Sequence, residues 1–131
     1  MTVVIDASVL VSALVDSGKE GRWAEETLLG HPIAAPELVL AETANVLRRL
    51  ERAKILSPFE SNGAYRDLMR FSIELFAFSP FAERIWGLRD NLTTYDAWYV
   101  ALAEALDSPL ATFDEKIKRA SGVRCRFIAP V

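Results

Sequence analysis

Residues 93–114 read TTYDAWYVALAEALDSPLATFD. From Tyr95 to Leu106 the only charged residues are Asp96 and Glu104, so a helix here is apolar almost all round and belongs inside the fold. Asp107-Ser108-Pro109 turns the chain, and Leu110 to Phe113 is a short apolar run ending at Asp114. A buried helix, a tight turn and a buried strand form one unit of a parallel α/β sheet. One acid stands at the start of the helix and another after the strand. In a twisted parallel sheet those two positions share an edge, the edge where such sheets bind ligands.

The chain upstream has matching parts. Thr2-Val3-Val4-Ile5 is β-branched throughout, as expected of a central strand covered on both faces, and it ends at Asp6. A helix follows over Ala7 to Val15 with Ser8 and Ser12 as a narrow polar stripe, closed by Gly18. A second helix covers Glu20 to Leu29, stopped by Gly30. His31-Pro32 turns into a short strand, Ile33 to Ala35. Pro36-Glu37 opens a long helix to about Lys54, with proline suited to its first position. Within it Glu42 lies among Leu38, Val39, Val46 and Leu47. Ser57-Pro58 starts a helix to about Phe71, and Ser72 to Phe78 is extended or irregular. Ser79-Pro80 leads a further helix to about Asn91. After the quoted stretch come a short helix, Glu115 to Ala120, and a last strand, Arg126 to Ala129. The order β-α-α-β-α-α-α-α-β-α-β predicts an α/β fold: a small parallel-stranded sheet with helices on both faces, in one domain spanning residues 1–131.

Composition sets the bounds. A chain of 131 residues, 51% hydrophobic and 25% charged, is globular and long enough for a hydrophobic core. No apolar run reaches membrane-spanning length. The first residues lack a basic region, and Asp6 interrupts their apolar stretch, so a signal peptide is not expected. The single Cys125 excludes an internal disulfide and fits a reducing, cytoplasmic setting. With His31 the only histidine, a Cys/His zinc site is not expected either. A net charge of −3 argues against a generic electrostatic nucleic-acid binder. Basic residues do cluster, at Arg48, Arg49, Arg52 and Lys54 and again at Lys116, Lys118, Arg119, Arg124 and Arg126. A nucleic-acid substrate is therefore allowed, and a solvated helix face accounts for the clusters equally well.

Four acids gather on this framework: Asp6 after the first strand, Glu42 on the apolar-flanked helix, Asp96 at the head of the buried helix and Asp114 after a later strand. Each has an ordinary explanation. Asp6 and Asp114 are placed to cap helices, Thr93-x-x-Asp96 fits a capping box, and Glu42 could face solvent. The set is harder to explain that way. Glu42 is not at a helix start, and the helix of Asp96 should be buried. Carboxylates crowded at a low-dielectric edge raise one another's pKa, and a hard divalent cation removes that conflict. Oxygen-only donors favour Mg²⁺, with Mn²⁺ as the alternative. Carboxylate-held Mg²⁺ serves phosphate chemistry. The chain has no competing nucleophile: Ser8 lacks a histidine partner, and neither a GxSxG elbow nor a GxxxxGK[ST] loop is present. Ser8 and Thr112, each two residues from an aspartate, either orient a carboxylate or a metal-bound water or are helix-end hydroxyls bonded to backbone.

These pieces resemble one family. VVIDASVLVSAL at 3–14, PELVLAETANVLRR at 36–49, LTTYDAWYVALAEAL at 92–106 and PLATFDEKI at 109–117 are similar, in order and spacing, to the motifs of PIN-domain ribonucleases, and among them the VapC toxins of toxin–antitoxin pairs. The resemblance implies an acidic pocket for Mg²⁺ or Mn²⁺ built from Asp6, Glu42, Asp96 and Asp114, with Ser8 and Thr112 as supporting hydroxyls. It also implies endonucleolytic cleavage of RNA by in-line attack of water, a homodimer, and a cognate antitoxin that blocks the pocket. Glu115 is the only further acid beside the last motif. The alternatives are a PIN-fold nuclease with a non-toxin role and a non-catalytic binding module. A phosphoacceptor domain fits poorly, since Ile5-Asp6-Ala7 lacks an acidic pair and Ala129-Pro130, not a lysine, follows the last strand. A D-x-D phosphatase fails because Ser8 stands where the second aspartate would be.

Overall fold

In the computed structural model, which describes residues 1–130, the β-branched run Val3–Ile5 (β1) is the middle strand of a five-stranded sheet. Its three side chains are fully buried. Ile33–Pro36 (β2) and Ile73–Phe76 (β3) lie to one side; Leu110–Ala111 (β4) and Phe127–Ile128 (β5) lie to the other. The order is β3-β2-β1-β4-β5 and every pairing is parallel, with Val4 opposite Ala34 on one flank and Leu110 on the other. The α/β architecture is the one expected, a parallel sheet flanked by helices.

The helices are Ala7–Val15 (α1), Lys19–Gly30 (α2), Leu38–Arg52 (α3), Pro58–Leu68 (α4), Ala82–Gly87 (α5), Thr94–Ala105 (α6) and Glu115–Arg119 (α7). The apolar helix of the quoted stretch is α6. It buries Ala97, Tyr99, Val100, Ala101, Leu102 and Ala103 and packs across β1, β2 and β4, with α5 against it. Small residues on α6 let the helix sit close to the sheet, while Tyr99 and Leu102 fill the space between. Helix α1 packs against α2, α3 and α4.

Four local expectations are corrected. Ile73–Phe76 is a strand: it pairs with β2 at the sheet edge, and its exposed Glu74 and Leu75 hide the burial pattern of a core strand. Pro36 ends β2 instead of opening α3. It stands opposite Phe76 beyond the end of β1, where a missing N–H breaks no ladder bond, and Glu37 N donates to Phe76 O at 3.0 Å. Gly18 caps the start of α2, and α1 ends at Asp16. The tight α1–α2 corner depends on Gly21, where a Cβ would lie 1.8 Å from the Asp16 carbonyl oxygen. Ser79–Phe81 is a 3-10 turn without a side-chain cap, and after α5 the chain runs to Leu92 in tight turns. Among the described residues no helix is long and apolar enough to cross a membrane.

One ion pair ties the far side of α6 to its neighbours. Arg84 of α5 grips Glu104 with Nε at 2.7 Å and a second nitrogen at 3.1 Å, and Arg124 N donates to the same carboxylate at 2.8 Å. Burial pushes the Glu104 carboxyl up, but Arg84 and the Arg124 N–H outweigh it and hold it below the usual range. Glu104→Ala is expected to cost about 1–3 kcal/mol, because it leaves three donors, two of Arg84 and the Arg124 N–H, without their charged acceptor; urea unfolding followed by circular dichroism measures it.

Candidate active site

With β2 and β4 on opposite sides of β1, the chain reverses its winding direction at the β1–β4 boundary, and a crevice opens at the carboxyl ends of those strands. Asp6 follows β1 directly. Thr112, Phe113 and Asp114 follow β4. The fold thus places both loops at the mouth of one crevice.

Asp6 is buried, 6% exposed. One of its oxygens, Oδ1, accepts from Ser8 Oγ at 2.6 Å and from Val9 N at 3.3 Å, so the residue also caps α1. Its other oxygen, Oδ2, accepts from Thr112 Oγ1. The two hydroxyls are themselves fixed: Phe113 N donates to Ser8 Oγ at 3.1 Å and Asp114 N to Thr112 Oγ1 at 2.9 Å. Each hydroxyl accepts a backbone N–H and points its own proton at Asp6. Burial raises the Asp6 carboxyl above its ordinary value, and these donors offset only part of that rise.

Glu42, half-buried on α3, accepts a hydrogen bond from the Tyr99 hydroxyl. Burial pushes its carboxyl up first, and the charges of Asp96 and Asp6 push it further. Asp96 stands in the first turn of α6, where Thr93 Oγ1 accepts its N–H at 3.2 Å. Its carboxyl is raised by burial and then by the charge of Asp114, against the pull of Thr93 and Lys116. Asp114 caps α7 through Lys116 N at 2.9 Å. The four acids form an electrostatic row, Asp6 acting on Glu42, Asp96 on Glu42, and Asp114 on Asp96.

The row is short of positive charge. The ion pairs among the described residues involve Glu104, Glu115 and Asp107, and none of the four acids. Nor do three His, Cys, Asp or Glu side chains come together closely enough to hold a metal ion as they stand, among the described residues. The carboxylates lie near enough to act on one another's charge without closing into a cage. Buried and half-buried carboxylates with oxygen as the only donor and little countercharge match a hard divalent cation in chemistry.

Glu115 is exposed and engaged with Lys118 at 3.5 Å and Arg119 at 4.0 Å. Two large aromatics stand out on the surface, Phe59 and Trp86, exposed at 83% and 66%. Trp23 tilts against Phe113 and Phe81 meets Phe76 edge-on, both partly buried. Tyr99 was not among the residues singled out from sequence. Its signal was there: it lies three residues after Asp96, hence on the same helix face, in a segment too apolar to leave a buried hydroxyl many partners. Burial and the neighbouring carboxylates push its phenol far above the ordinary value, so it acts as a donor.

Comparison with known proteins gives a consistent result. The family model of the PIN domain matches residues 3–123. A VapC ribonuclease of Mycobacterium bovis, Mb0985, is 34% identical over 123 residues, covering 94% of each chain. Among solved structures, Mycobacterium tuberculosis VapC20, a toxin that cleaves the sarcin–ricin loop, superposes with a TM-score of 0.69 at 14% identity, covering 98% of this chain and 99% of that one. A toxin–antitoxin complex from Klebsiella pneumoniae gives a TM-score of 0.66 at 20% identity, covering 98% of both. At those identities the two structures speak for the fold alone.

Proposed function

The chain belongs to the PIN-domain family and is closely related to VapC toxins, and on that premise we propose that it is a Mg²⁺-dependent endoribonuclease acting as the toxin of a toxin–antitoxin pair. The observation that supports the catalytic half is the row of four carboxylates at the β1–β4 crevice, three of them raised in pKa by burial and lacking an ion-pair partner. The toxin half is supported by the relationship to VapC ribonucleases.

Asp6, Glu42, Asp96 and Asp114 would hold the cation, Mg²⁺ or in its place Mn²⁺. When bound, the ion supplies activation of a water and neutralisation of the charge that builds on the phosphoryl group. The protein does the rest by position. Ser8, Val9 and Thr112 hold Asp6 so that Oδ1 is saturated and Oδ2 keeps one acceptor direction for the ion. Thr93 fixes the first turn of α6, and with it Asp96. Water attacks phosphorus in line with the leaving oxygen. Water is the nucleophile in this reading: the Ser8 and Thr112 hydroxyls donate their protons to Asp6, and the sole histidine, His31, lies at the end of α2.

A cognate antitoxin and a second copy of the chain are the partners that fit. Leu29 (84% exposed) lines a groove with Leu14 and Phe71, and Phe59 (83%) lines a second, neighbouring groove with Leu14 and Val15; Leu14 and Asp67 border both. Neighbouring apolar grooves of this kind are where such a partner would dock. The setting proposed is the cytoplasm, where the RNA substrate is.

The toxin role is tested by induced expression in a bacterial host. Wild type is expected to arrest growth and cut cellular RNA, and co-expression of the small protein encoded beside it to relieve both. Growth at the uninduced rate with intact RNA would contradict the toxin reading.

A further inference from the structure

Glu42 is the acid least controlled by its own backbone. Asp6, Asp96 and Asp114 have short side chains tied to helix starts, each through its own carboxylate or its own N–H. Glu42 sits in the interior of α3 with a third side-chain torsion, and the only hydrogen bond to its carboxylate among the described residues comes from Tyr99. That partner is rigid. Tyr99 is 2% exposed, its ring belongs to the hydrophobic core, and two torsions fix its hydroxyl. Asp96 and Tyr99 are three residues apart on one face of α6, so a single buried helix sets both the Asp96 carboxylate and the hydroxyl that reaches Glu42 on α3.

We propose that Tyr99 is a positioning residue: its hydroxyl holds Glu42 Oε1 so that Oε2 is presented to the crevice shared with Asp6 and Asp96. The assignment rests on the reading of that crevice as a divalent-cation site. The arrangement parallels Asp6, which Ser8 and Thr112 hold by hydroxyl donors. In both cases the holder is neutral. A lysine or arginine there would orient the carboxylate equally well but would cancel the charge that attracts the cation. Hydrogen bonds of this kind fix ligand geometry, and losing one typically weakens metal binding about 10-fold to 100-fold.

The test is a double-mutant cycle with Mn²⁺ as the probe, read by calorimetry on wild type, Tyr99→Phe, Glu42→Gln and the double variant, with RNA cleavage followed in parallel. Tyr99→Phe is expected to melt cooperatively and to bind Mn²⁺ about 10-fold or more weakly, and the double variant to bind no more weakly than Glu42→Gln alone. Wild-type affinity in Tyr99→Phe would overturn the assignment. So would losses that simply add, which would mean Tyr99 acts through something other than Glu42. A Tyr99→Phe chain that does not fold would make the hydroxyl a structural group and overturn it as well. A wild type that neither binds Mn²⁺ nor cleaves RNA would remove the metal-site reading and this proposal together, an outcome distinct from a binding wild type matched by Tyr99→Phe.

Discussion

Asp96→Asn is expected to abolish RNA cleavage while leaving the fold intact. The substitution keeps the size of the side chain and leaves the Asp96 N–H bonded to Thr93, so α6 should keep its cap and its packing on the sheet. What disappears is a charge in the middle of the acidic row, next to Asp114 on one side and Glu42 on the other. If the row binds a cation that is worth several kcal/mol to the transition state, its loss lowers the rate at least about 1,000-fold. Single-turnover cleavage of a short RNA, with circular dichroism as the control for folding, measures this. A folded variant that cleaves within a few fold of wild type would remove Asp96 from the site.

The second large effect concerns stability. Asp6, Glu42 and Asp96 all have folded-state pKa values above their ordinary ones, each chiefly through burial. Their charged forms therefore cost stability. That cost is absent at pH values below the ordinary carboxylate pKa of about 4, where both folded and unfolded chains are protonated, and grows as pH rises through the raised folded values. Glu104 works in the other direction: Arg84 and Arg124 hold its pKa low, and its contribution is lost as pH falls through that depressed value. Without divalent metal, the protein is thus expected to melt higher at mildly acidic pH than at pH 7.5. Asp6→Asn removes the most buried of the three charges and should raise the metal-free Tm at pH 7.5 by a few degrees, roughly 1 kcal/mol. Mg²⁺ should stabilise wild type by binding only the native state and stabilise Asp6→Asn much less. A metal-free Asp6→Asn variant that melts lower than wild type, with an unchanged response to Mg²⁺, would contradict this account of the buried charge.

The sequence was legible where local and long-range preferences agree. The run Val3–Ile5 is β-branched throughout and ends at Asp6, and its burial between two parallel neighbours follows. Helix α6 has so few polar positions that burial is its only stable environment. The candidate acids stand out in the sequence because they interrupt such segments. Edge elements were not. Ile73–Phe76 carries Glu74 and an exposed Leu75, and its strand character comes from pairing with β2, which no local pattern records. Pro36 suits both a helix start and a strand end, and its pairing with Phe76 of β3 decides between them. Tyr99 was passed over for a similar reason. A tyrosine in an apolar helix looks like packing until the position of Glu42, 57 residues away in sequence, gives its hydroxyl a partner.

The central claim is that the four carboxylates make a metal-dependent nuclease site that uses water as the nucleophile. Purified wild type incubated with total RNA, with Mg²⁺ and with a chelator, followed by mapping of the cut ends, tests it most directly. The expected result is discrete cleavage with Mg²⁺, none with chelator, none with Asp96→Asn in either condition, and ends free of 2′,3′-cyclic phosphate. Cleavage that persists in chelator and in Asp96→Asn, or that leaves cyclic phosphate ends, would contradict it.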